Sequence, residues 1–251
     1  MAATLAKNVL SRVRGRLYRA YYRVARANYE RGWFTRRNRT PAGSIHSYEP
    51  ITRHGVDPML EELDAACSET AVVYDVGANV GIYACALAVD TDRRLVAFEP
   101  APTTREHLRA TVRRNDLEDR IESRGCGLGA ETGEAPFYCS SHPELSAFDP
   151  ESATRWEAEI VDEVVLPCYR LDDLIDALPA PDVIKLDVEG TAPDVLRGAR
   201  RTLASHRPLV FLEVHADGLE GDRPREARAI LEARGYRVLE REGFWRCEPG
   251  A

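Results

Sequence analysis

The strongest constraint on the fold of this chain is a short stretch in which an apolar run ends in an acid and two glycines. Residues 72–83 read Val-Val-Tyr-Asp-Val-Gly-Ala-Asn-Val-Gly-Ile-Tyr, which places Asp75 before Gly77 and Gly81. The β-branched run predicts a buried strand, and the residues after Gly81 fit a helix. Glycine lets a backbone come close to a ligand, and the free N–H groups at a helix start favour a negative group. The stretch therefore predicts a strand–turn–helix unit with a ligand site at its turn.

The rest of the chain continues this alternation of strands and helices. From residue 71 onward, short β-branched runs alternate with helical periodicity, which is typical of βαβ units on a mostly parallel sheet. We predict strands near residues 71–76, 94–98, 121–126, 164–169, 182–186, 209–214, 236–239 and 244–247. We predict helices near residues 80–89, 102–115, 171–178, 191–205 and 222–234. Segment 129–163 fits neither period well, and we predict a strand or hairpin plus a long loop that serves as a substrate loop or lid.

Composition indicates one large domain preceded by a differently charged piece. The chain has 251 residues, 44% of them hydrophobic and 30% charged. Residues 1–54 hold 12 basic residues against two acids, whereas residues 55–251 hold 22 basic against 39 acidic. We therefore predict an N-terminal extension over 1–54 and a main domain over 55–251. The six cysteines are scattered, so we predict that they are reduced. We predict a cytoplasmic protein, because the sequence shows neither a secretory signal nor a long apolar run.

A basic amphipathic helix is predicted over residues 5–29. One face of its helical projection carries Leu10, Val13, Leu17, Tyr21 and Val24, and the opposite face carries Arg12, Arg16, Arg19, Arg23 and Arg26. Such a helix can pack its apolar stripe on the main domain. It can also bind peripherally to anionic lipids at the inner face of the cell membrane. Nucleic acid is not expected as a partner, because the main domain is acidic and has no base-stacking motif.

A second acid stands at the place where α/β folds bind a ribose. Glu99 ends the run Leu95-Val-Ala-Phe-Glu, 24 residues after Asp75. An acid at about this spacing accepts the ribose hydroxyls of dinucleotides, so NAD is one alternative. However, the turn is not Gly-x-Gly-x-x-Gly, and an acid before it repels phosphate but suits a cationic amino or sulfonium group. The two acids together favour S-adenosylmethionine over NAD.

Several blocks of the sequence resemble the FkbM-type methyltransferases. These blocks span residues 74–83, 97–100, 171–174, 183–190, 195–198 and 208–215. The resemblance implies a Rossmann-like class I methyltransferase fold with a mostly parallel seven-stranded sheet. It also implies an O-methyltransferase that uses S-adenosylmethionine to modify a hydroxyl or carboxyl of a sugar, a glycan or a lipid-linked saccharide. The sequence departs from the family at Thr191 and Ala192, where relatives more usually carry an acid.

The resemblance also assigns roles to individual residues. It implies cofactor contacts for a set of residues in and after the first turn, and it places Asp187 at a strand end that faces the transferred methyl group. The implied cofactor contacts are Asp75, Gly77, Asn79, Gly81 and Glu99. The alternative function is that of a non-catalytic subunit with this fold, which anchors a glycan-assembly complex. However, a site that no longer binds a cofactor need not keep both acids.

Acceptor chemistry is predicted at the ends of two neighbouring strands. Period-two alternation puts Lys185 and Asp187 on one strand face, and the next strand delivers Glu213 and His215 to the same sheet edge. Imidazole titrates near neutral pH, so we predict His215 as the general base; a hydrogen-bonded structural role is the alternative. Asp187 and Glu213 could instead hold a divalent metal, which is not expected because no third ligand is evident.

Overall fold

A seven-stranded central sheet and a smaller three-stranded sheet organise the chain. The computed structural model describes residues 17–18, 20–52, 54–214 and 223–250. Within these residues the strands are β1 (Arg36–Arg39), β2 (Ser44–Ser47), β3 (Val72–Val76), β4 (Arg94–Phe98), β5 (Ile121–Arg124), β6 (Gly127–Leu128), β7 (Gly133–Ser140), β8 (Ile160–Tyr169), β9 (Val183–Leu186), β10 (Leu209–Glu213), β11 (Tyr236–Arg241) and β12 (Phe244–Pro249). The helices are α1 (residues 20–31), α2 (Pro58–Ala66), α3 (Ile82–Ala88), α4 (Pro102–Arg114), α5 (Pro150–Ala153), α6 (Leu171–Leu174), α7 (Ala192–Gly198), α8 (Arg200–Ser205) and α9 (Arg223–Glu232).

The central sheet has the order β11-β12-β10-β9-β3-β4-β5. Its strands pair in parallel except β12, which is antiparallel to both β10 and β11. This confirms the predicted class I methyltransferase fold with a mostly parallel seven-stranded sheet. Parallel sheets are covered on both faces, which explains why the central strands read as continuous apolar runs rather than as alternating ones.

Successive residues of each central strand enter opposite halves of the core. Val73 and Leu95 pack with α2, α3 and α4 on one face of the sheet. Tyr74 and Val96 pack with α6, α7, α8 and α9 on the other face. This alternation follows from the period of two in a strand. Because both faces are covered, ligands can reach the central strands only at their ends.

Segment 129–163 forms the predicted hairpin. Strands β7 and β8 pair antiparallel over almost their whole length, and β6 adds to β8 in parallel. The 141–159 connection between β7 and β8 contains α5 and two short 3-10 turns. The prediction of a hairpin is therefore confirmed, whereas the role of this segment as a substrate loop stays a prediction.

Four elements differ from the sequence prediction or were missed by it. Helix α2 was not predicted, although Asp57 caps it by accepting a hydrogen bond from Leu60 N and Pro58 opens it. The single helix predicted over 191–205 is two helices that meet at Ala199. Short strands β1 and β2 were missed because they are mostly polar; their buried anchor is Ile45, which packs against the α3 and α4 side of the core.

The buried side of the N-terminal helix α1 overlaps only in part with the apolar stripe that the sequence predicted, and Asn28 projects onto that stripe. Asn28 and Tyr29 are buried, and the Tyr29 ring stacks on His107 of α4 with a centroid separation of 4.3 Å. Leu17 and Val24, from the predicted apolar stripe, are 67% and 46% exposed. Leu10 and Val13 lie outside the described residues.

The division of the chain at residue 54 stays a prediction. Among the described helices, none is both long enough and apolar enough to cross a bilayer.

The turn after β3 predicts a stability difference between two glycine substitutions. Gly77 has φ +79, and a Cβ built on it would lie 1.8 Å from the Asp187 carbonyl oxygen. Gly235 has φ +76 but an added Cβ would meet nothing within 4 Å. We expect Gly235→Ala to cost about 1–2 kcal/mol of left-handed strain. Gly77→Ala should cost about 1–3 kcal/mol more, because of overpacking.

Urea unfolding of both variants and the wild type at one temperature measures this difference. The Gly235→Ala variant is the matched control for backbone strain without contact. Equal losses in the two variants would contradict the tight packing of the Gly77 turn against Asp187.

Candidate active site

A cleft of about 230 Å³ lies at the carboxyl ends of β3, β4, β9 and β10. In an open α/β sheet this is the edge at which ligands bind. The floor and walls come from the turn 77–83, from the residues that follow β4 and β9, from Glu213 at the end of β10, and from segment 143–156. Strand order alone therefore brings together residues that are more than 100 positions apart in the sequence.

Glu99, the first residue after β4, lines the cleft with its carboxylate held in place by two backbone groups. Its Oε2 accepts a hydrogen bond of 2.9 Å from Asn79 N, and its Oε1 accepts one of 2.9 Å from Ala101 N. Burial raises the pKa of Glu99 to about 7, although these two hydrogen bonds act to lower it. Each carboxylate oxygen can accept more than one hydrogen bond, so both can still receive a ligand hydroxyl.

Asp75, the predicted cofactor contact in β3, is buried beside Lys185 of β9. The two residues are register partners on adjacent strands, and Lys185 Nζ lies 3.0 Å from Asp75 Oδ1. Within the described part of the chain, both carboxylate oxygens of Asp75 are buried without a hydrogen bond. Asp75 is not among the residues that line the cleft, whereas Lys185 is. A direct contact of Asp75 with a cofactor stays a prediction.

The Lys185 ammonium also contacts the turn after β3 and the residue that follows β9. It donates a hydrogen bond of 3.1 Å to Gly77 O, and it lies 3.4 Å from Asp187 Oδ2. Burial alone would lower the pKa of Lys185, but the charges of Asp75 and Asp187 outweigh burial and raise it. Lys185 is therefore a permanent cation at the floor of the cleft.

The glycines and Asn79 shape the turn after β3. Gly77 and Asn79 line the cleft, and both have positive φ values, +79 and 50. Gly81 begins α3 with φ +83 and packs against Leu108 of α4, where an added Cβ would lie 3.2 Å from Leu108 Cγ. Gly81 is not among the described residues that line the cleft. Two of the three predicted contacts thus reach the cleft, and Gly81 lies behind it.

Asp187 and Glu213 come together as predicted. Both line the cleft, and their side chains share a hydrogen bond. Burial and the adjacent Asp187 carboxylate raise the pKa of Glu213 well above its ordinary value, and Lys185 offsets only part of this. The pair therefore keeps one proton near neutral pH. His215, the predicted base, lies outside the described residues. In the residues that the structure describes, no group of three His, Cys, Asp or Glu side chains could hold a metal ion.

His54, Asp57 and Tyr83 were not predicted from the sequence as site residues. His54 and Tyr83 line the cleft, and Asp57 joins them. Asp57 Oδ2 lies 2.7 Å from His54 Nδ1 and accepts a hydrogen bond of 2.7 Å from Tyr83 OH. One sequence signal could have identified His54 and Asp57. Asp57-Pro58 is typical of a helix start, and it stands three residues after a histidine.

Segment 141–159 closes one side of the cleft. Phe148 and Trp156 line it from this segment, and Arg155 donates a hydrogen bond of 2.6 Å to Glu189 Oε2 after β9. The Arg155 and Glu189 side chains are only 4% and 10% exposed. Buried ion pairs fix geometry because separating them leaves a charge without its partner. The segment is thus tied to the sheet edge that carries Asp187.

Comparisons with known proteins agree with this architecture. The family model described as Methyltransferase FkbM domain matches residues 75–238. Hexuronic acid methyltransferase AglP of Haloferax volcanii is 27% identical over 194 residues, which cover 75% of this chain and 74% of that protein. The 31-O-demethyl-FK506 methyltransferase FkbM of Streptomyces tacrolimicus is 30% identical over 197 residues, which cover 67% of this chain and 73% of that protein.

A solved structure supports the fold. The crystal structure of methyltransferase FkbM from Methylobacillus flagellatus matches with a TM-score of 0.50 and 21% identity, over 84% of this chain and 48% of that chain. The family model covers more than half of the chain, including Glu99, Asp187 and Glu213. The chain therefore belongs to the FkbM family of S-adenosylmethionine-dependent methyltransferases.

Proposed function

We propose that this enzyme transfers the methyl group of S-adenosylmethionine to an oxygen of a sugar or glycan, free or linked to a lipid. The observation that carries the proposal is the convergence of Glu99, Asp187 and Glu213 on one cleft closed by segment 141–159. The relatives named above act, by their names, on hexuronic acid and on 31-O-demethyl-FK506. The second of these names places the transferred methyl group on an oxygen, which supports an oxygen acceptor for this chain.

The residues present fit the cofactor at the β4 end of the cleft. We assign both ribose hydroxyls to Glu99, and its fixed position between Asn79 N and Ala101 N supports this assignment. Gly77 and Asn79 give the cofactor a wall of backbone. Asp75 acts by holding Lys185.

When bound, S-adenosylmethionine supplies a methyl group on a positively charged sulfur. The chain must then hold the acceptor oxygen in line with that methyl group and receive its proton. We assign the orientation of the acceptor molecule to Asp187 and Glu213. Because the two carboxyl groups share one proton, they offer the molecule both a hydrogen-bond donor and hydrogen-bond acceptors. The sequence analysis offers His215 as the base. Phe148 and Trp156 present flat apolar surfaces to the body of the acceptor.

The non-catalytic alternative is an anchor subunit of a glycan-assembly complex. An anchor needs neither a buried acid nor a permanent cation at the cofactor edge, and both cost free energy to bury. Glu99 and the Asp75–Lys185 pair therefore favour the enzyme.

The Glu99 carboxylate predicts how cofactor affinity depends on pH. Its pKa of about 7 means that it is ionised above pH 7 and protonated below. Because only the carboxylate can accept both hydroxyls, affinity should be lost as pH falls through 7. We expect the apparent Kd for S-adenosylmethionine to rise about tenfold from pH 8 to pH 6.

Calorimetric titration of the wild type, Glu99→Gln and the exposed control Glu118→Gln measures this dependence. Glu99→Gln should bind more weakly and lose the tenfold change, and Glu118→Gln should behave like the wild type. A wild type without cofactor affinity would favour the non-catalytic alternative, and a pH dependence kept in Glu99→Gln would contradict the role of Glu99.

The acceptor class is tested with tritiated methyl groups. We expect the wild type to transfer label from S-adenosylmethionine to glycosides of hexoses or hexuronic acids, and Glu99→Gln to lose most of this transfer when cofactor is subsaturating. A short RNA and an unmodified protein serve as negative controls. Label in either of them, with none in the glycosides, would contradict a sugar or glycan acceptor.

A second proposal concerns peripheral association with an anionic membrane. The stripe residues Leu17 and Val24 are exposed, and Trp33 and Phe34 just after α1 are 58% and 40% exposed. Exposed arginines lie around them at positions 23, 26, 31 and 36. Apolar side chains beside arginine are the pattern that binds a surface of anionic lipid. A lipid-linked saccharide then becomes the favoured acceptor.

Vesicle binding tests this surface in the full-length chain. Trp33→Ala/Phe34→Ala should lower partitioning into phosphatidylserine-containing vesicles at least about tenfold, because each aromatic side chain loses apolar burial. Wild-type binding should weaken as salt rises. The control Val161→Ala/Val165→Ala removes two exposed apolar residues of β8 and should bind like the wild type. Equal binding by both double variants would contradict the proposal.

A further inference from the structure

We infer that His54 is the base that takes the acceptor's proton, and that the acceptor atom is therefore a hydroxyl oxygen and not a carboxylate. This inference rests on the proposed methyl transfer and narrows it. His54 lies between β2 and α2, outside every motif that the sequence analysis singled out. It lines the same cleft as Asp187 and Glu213.

Asp57 fixes the orientation of the His54 ring. His54 Nδ1 lies 2.7 Å from Asp57 Oδ2. Asp57 is itself held, because its Oδ1 accepts from Leu60 N at 3.0 Å and its Oδ2 accepts from Tyr83 OH at 2.7 Å. Burial alone would raise the pKa of Asp57, but these hydrogen bonds outweigh it and lower the pKa. The carboxylate stays ionised and accepts the Nδ1 proton, which leaves Nε2 of a neutral ring as a proton acceptor.

The backbone and a neighbouring ring also fix the position of His54. Its φ of 57 lies in the left-handed region, which costs a non-glycine residue about 1–2 kcal/mol. Its ring meets the Tyr83 ring edge-on, with centroids 5.2 Å apart and planes at 84°. Tyr83 keeps its own proton, since burial and Asp57 raise its pKa far above the ordinary value. A histidine oriented by an ionised acid is the arrangement by which enzymes activate hydroxyl nucleophiles.

The charges around the cleft disfavour a carboxylate acceptor. Asp187 and Glu213 share one proton and so present a net negative charge, and Glu189 is neutralised by Arg155. The Lys185 cation is already balanced by Asp75 and Asp187. An incoming carboxylate would meet no unpaired cation among these groups, and it would need no base. A hydroxyl is neutral, and it does need one.

The step balances without any further reactant. The hydroxyl oxygen forms the new C–O bond as the methyl–sulfur bond breaks, and the electron pair of that bond stays on sulfur. The hydroxyl proton passes to His54 Nε2, and the resulting imidazolium is stabilised by Asp57. The products are a methyl ether, the neutral thioether and a protonated ring that returns its proton to water.

Single-turnover methyl transfer to hexose and hexuronic acid glycosides tests the inference. His54→Gln should slow transfer by about 100-fold or more at saturating cofactor, the usual contribution of a general base. His46→Gln, an exposed histidine of β2, is the matched control. A full rate in His54→Gln, or its loss only in His215→Gln, would overturn the inference.

The product distinguishes a hydroxyl acceptor from a carboxyl acceptor. A methyl ether survives mild alkali, whereas a methyl ester releases labelled methanol. We expect alkali-stable label on both hexose and hexuronic acid glycosides. Alkali-labile label alone would overturn the inference while leaving the proposed methyltransferase intact. A wild type that binds no S-adenosylmethionine would overturn both proposals.

Nitrogen NMR of histidine-labelled enzyme tests the ring without any acceptor. The signal that disappears in His54→Gln should show, at alkaline pH, a neutral ring with its proton on Nδ1. A neutral ring protonated on Nε2 would have no lone pair to offer in the cleft and would overturn the inference.

Discussion

The buried ammonium of Lys185 is the interaction on which the active-site edge of the sheet depends. It lies in β9 and reaches Asp75 on β3, the Gly77 carbonyl oxygen and the Asp187 carboxylate. A buried charge costs several kcal/mol unless its partners surround it, so these groups must keep their places together. The turn after β3 packs against the backbone after β9 so closely that only glycine fits at position 77. Ion pair and backbone contact together fix the floor of the cleft.

This arrangement gives the site a defined charge. Lys185 neutralises Asp75, and the shared proton of Asp187 and Glu213 leaves one negative charge between them. Glu99 adds a second negative charge above its pKa of about 7. The cleft is therefore electronegative without being saturated with carboxylates, which suits a cofactor that carries its positive charge on sulfur. A phosphate-bearing dinucleotide would meet repulsion at the same place.

The sequence allowed prediction of local elements and of acids at strand ends, but not of contacts between distant segments. The strand–turn–helix around Asp75 and the acid at Glu99 are encoded within a few residues, because strand and helix periods are local. The partnership of Asp75 with Lys185 depends on β3 lying beside β9, 110 residues later in the chain. Gly77 was predicted as a ligand contact, but the sequence did not indicate that its backbone also packs directly against the Asp187 carbonyl group. His54 and Asp57 precede a short helix whose apolar face carries few residues, so no periodic signal drew attention to them.

The N-terminal helix joins the outer surface of the protein to the wall of the cleft. Tyr18, and Tyr22 of α1, pack on the buried ring of His142, with centroid separations of 5.5 and 5.6 Å. The next two residues, Pro143 and Glu144, line the cleft. These ring contacts connect the helix that carries the exposed Leu17 and Val24 side chains to segment 141–159. If Leu17 and Val24 rest on lipid, a saccharide held by a lipid anchor would approach the cleft beside the wall that segment 141–159 forms.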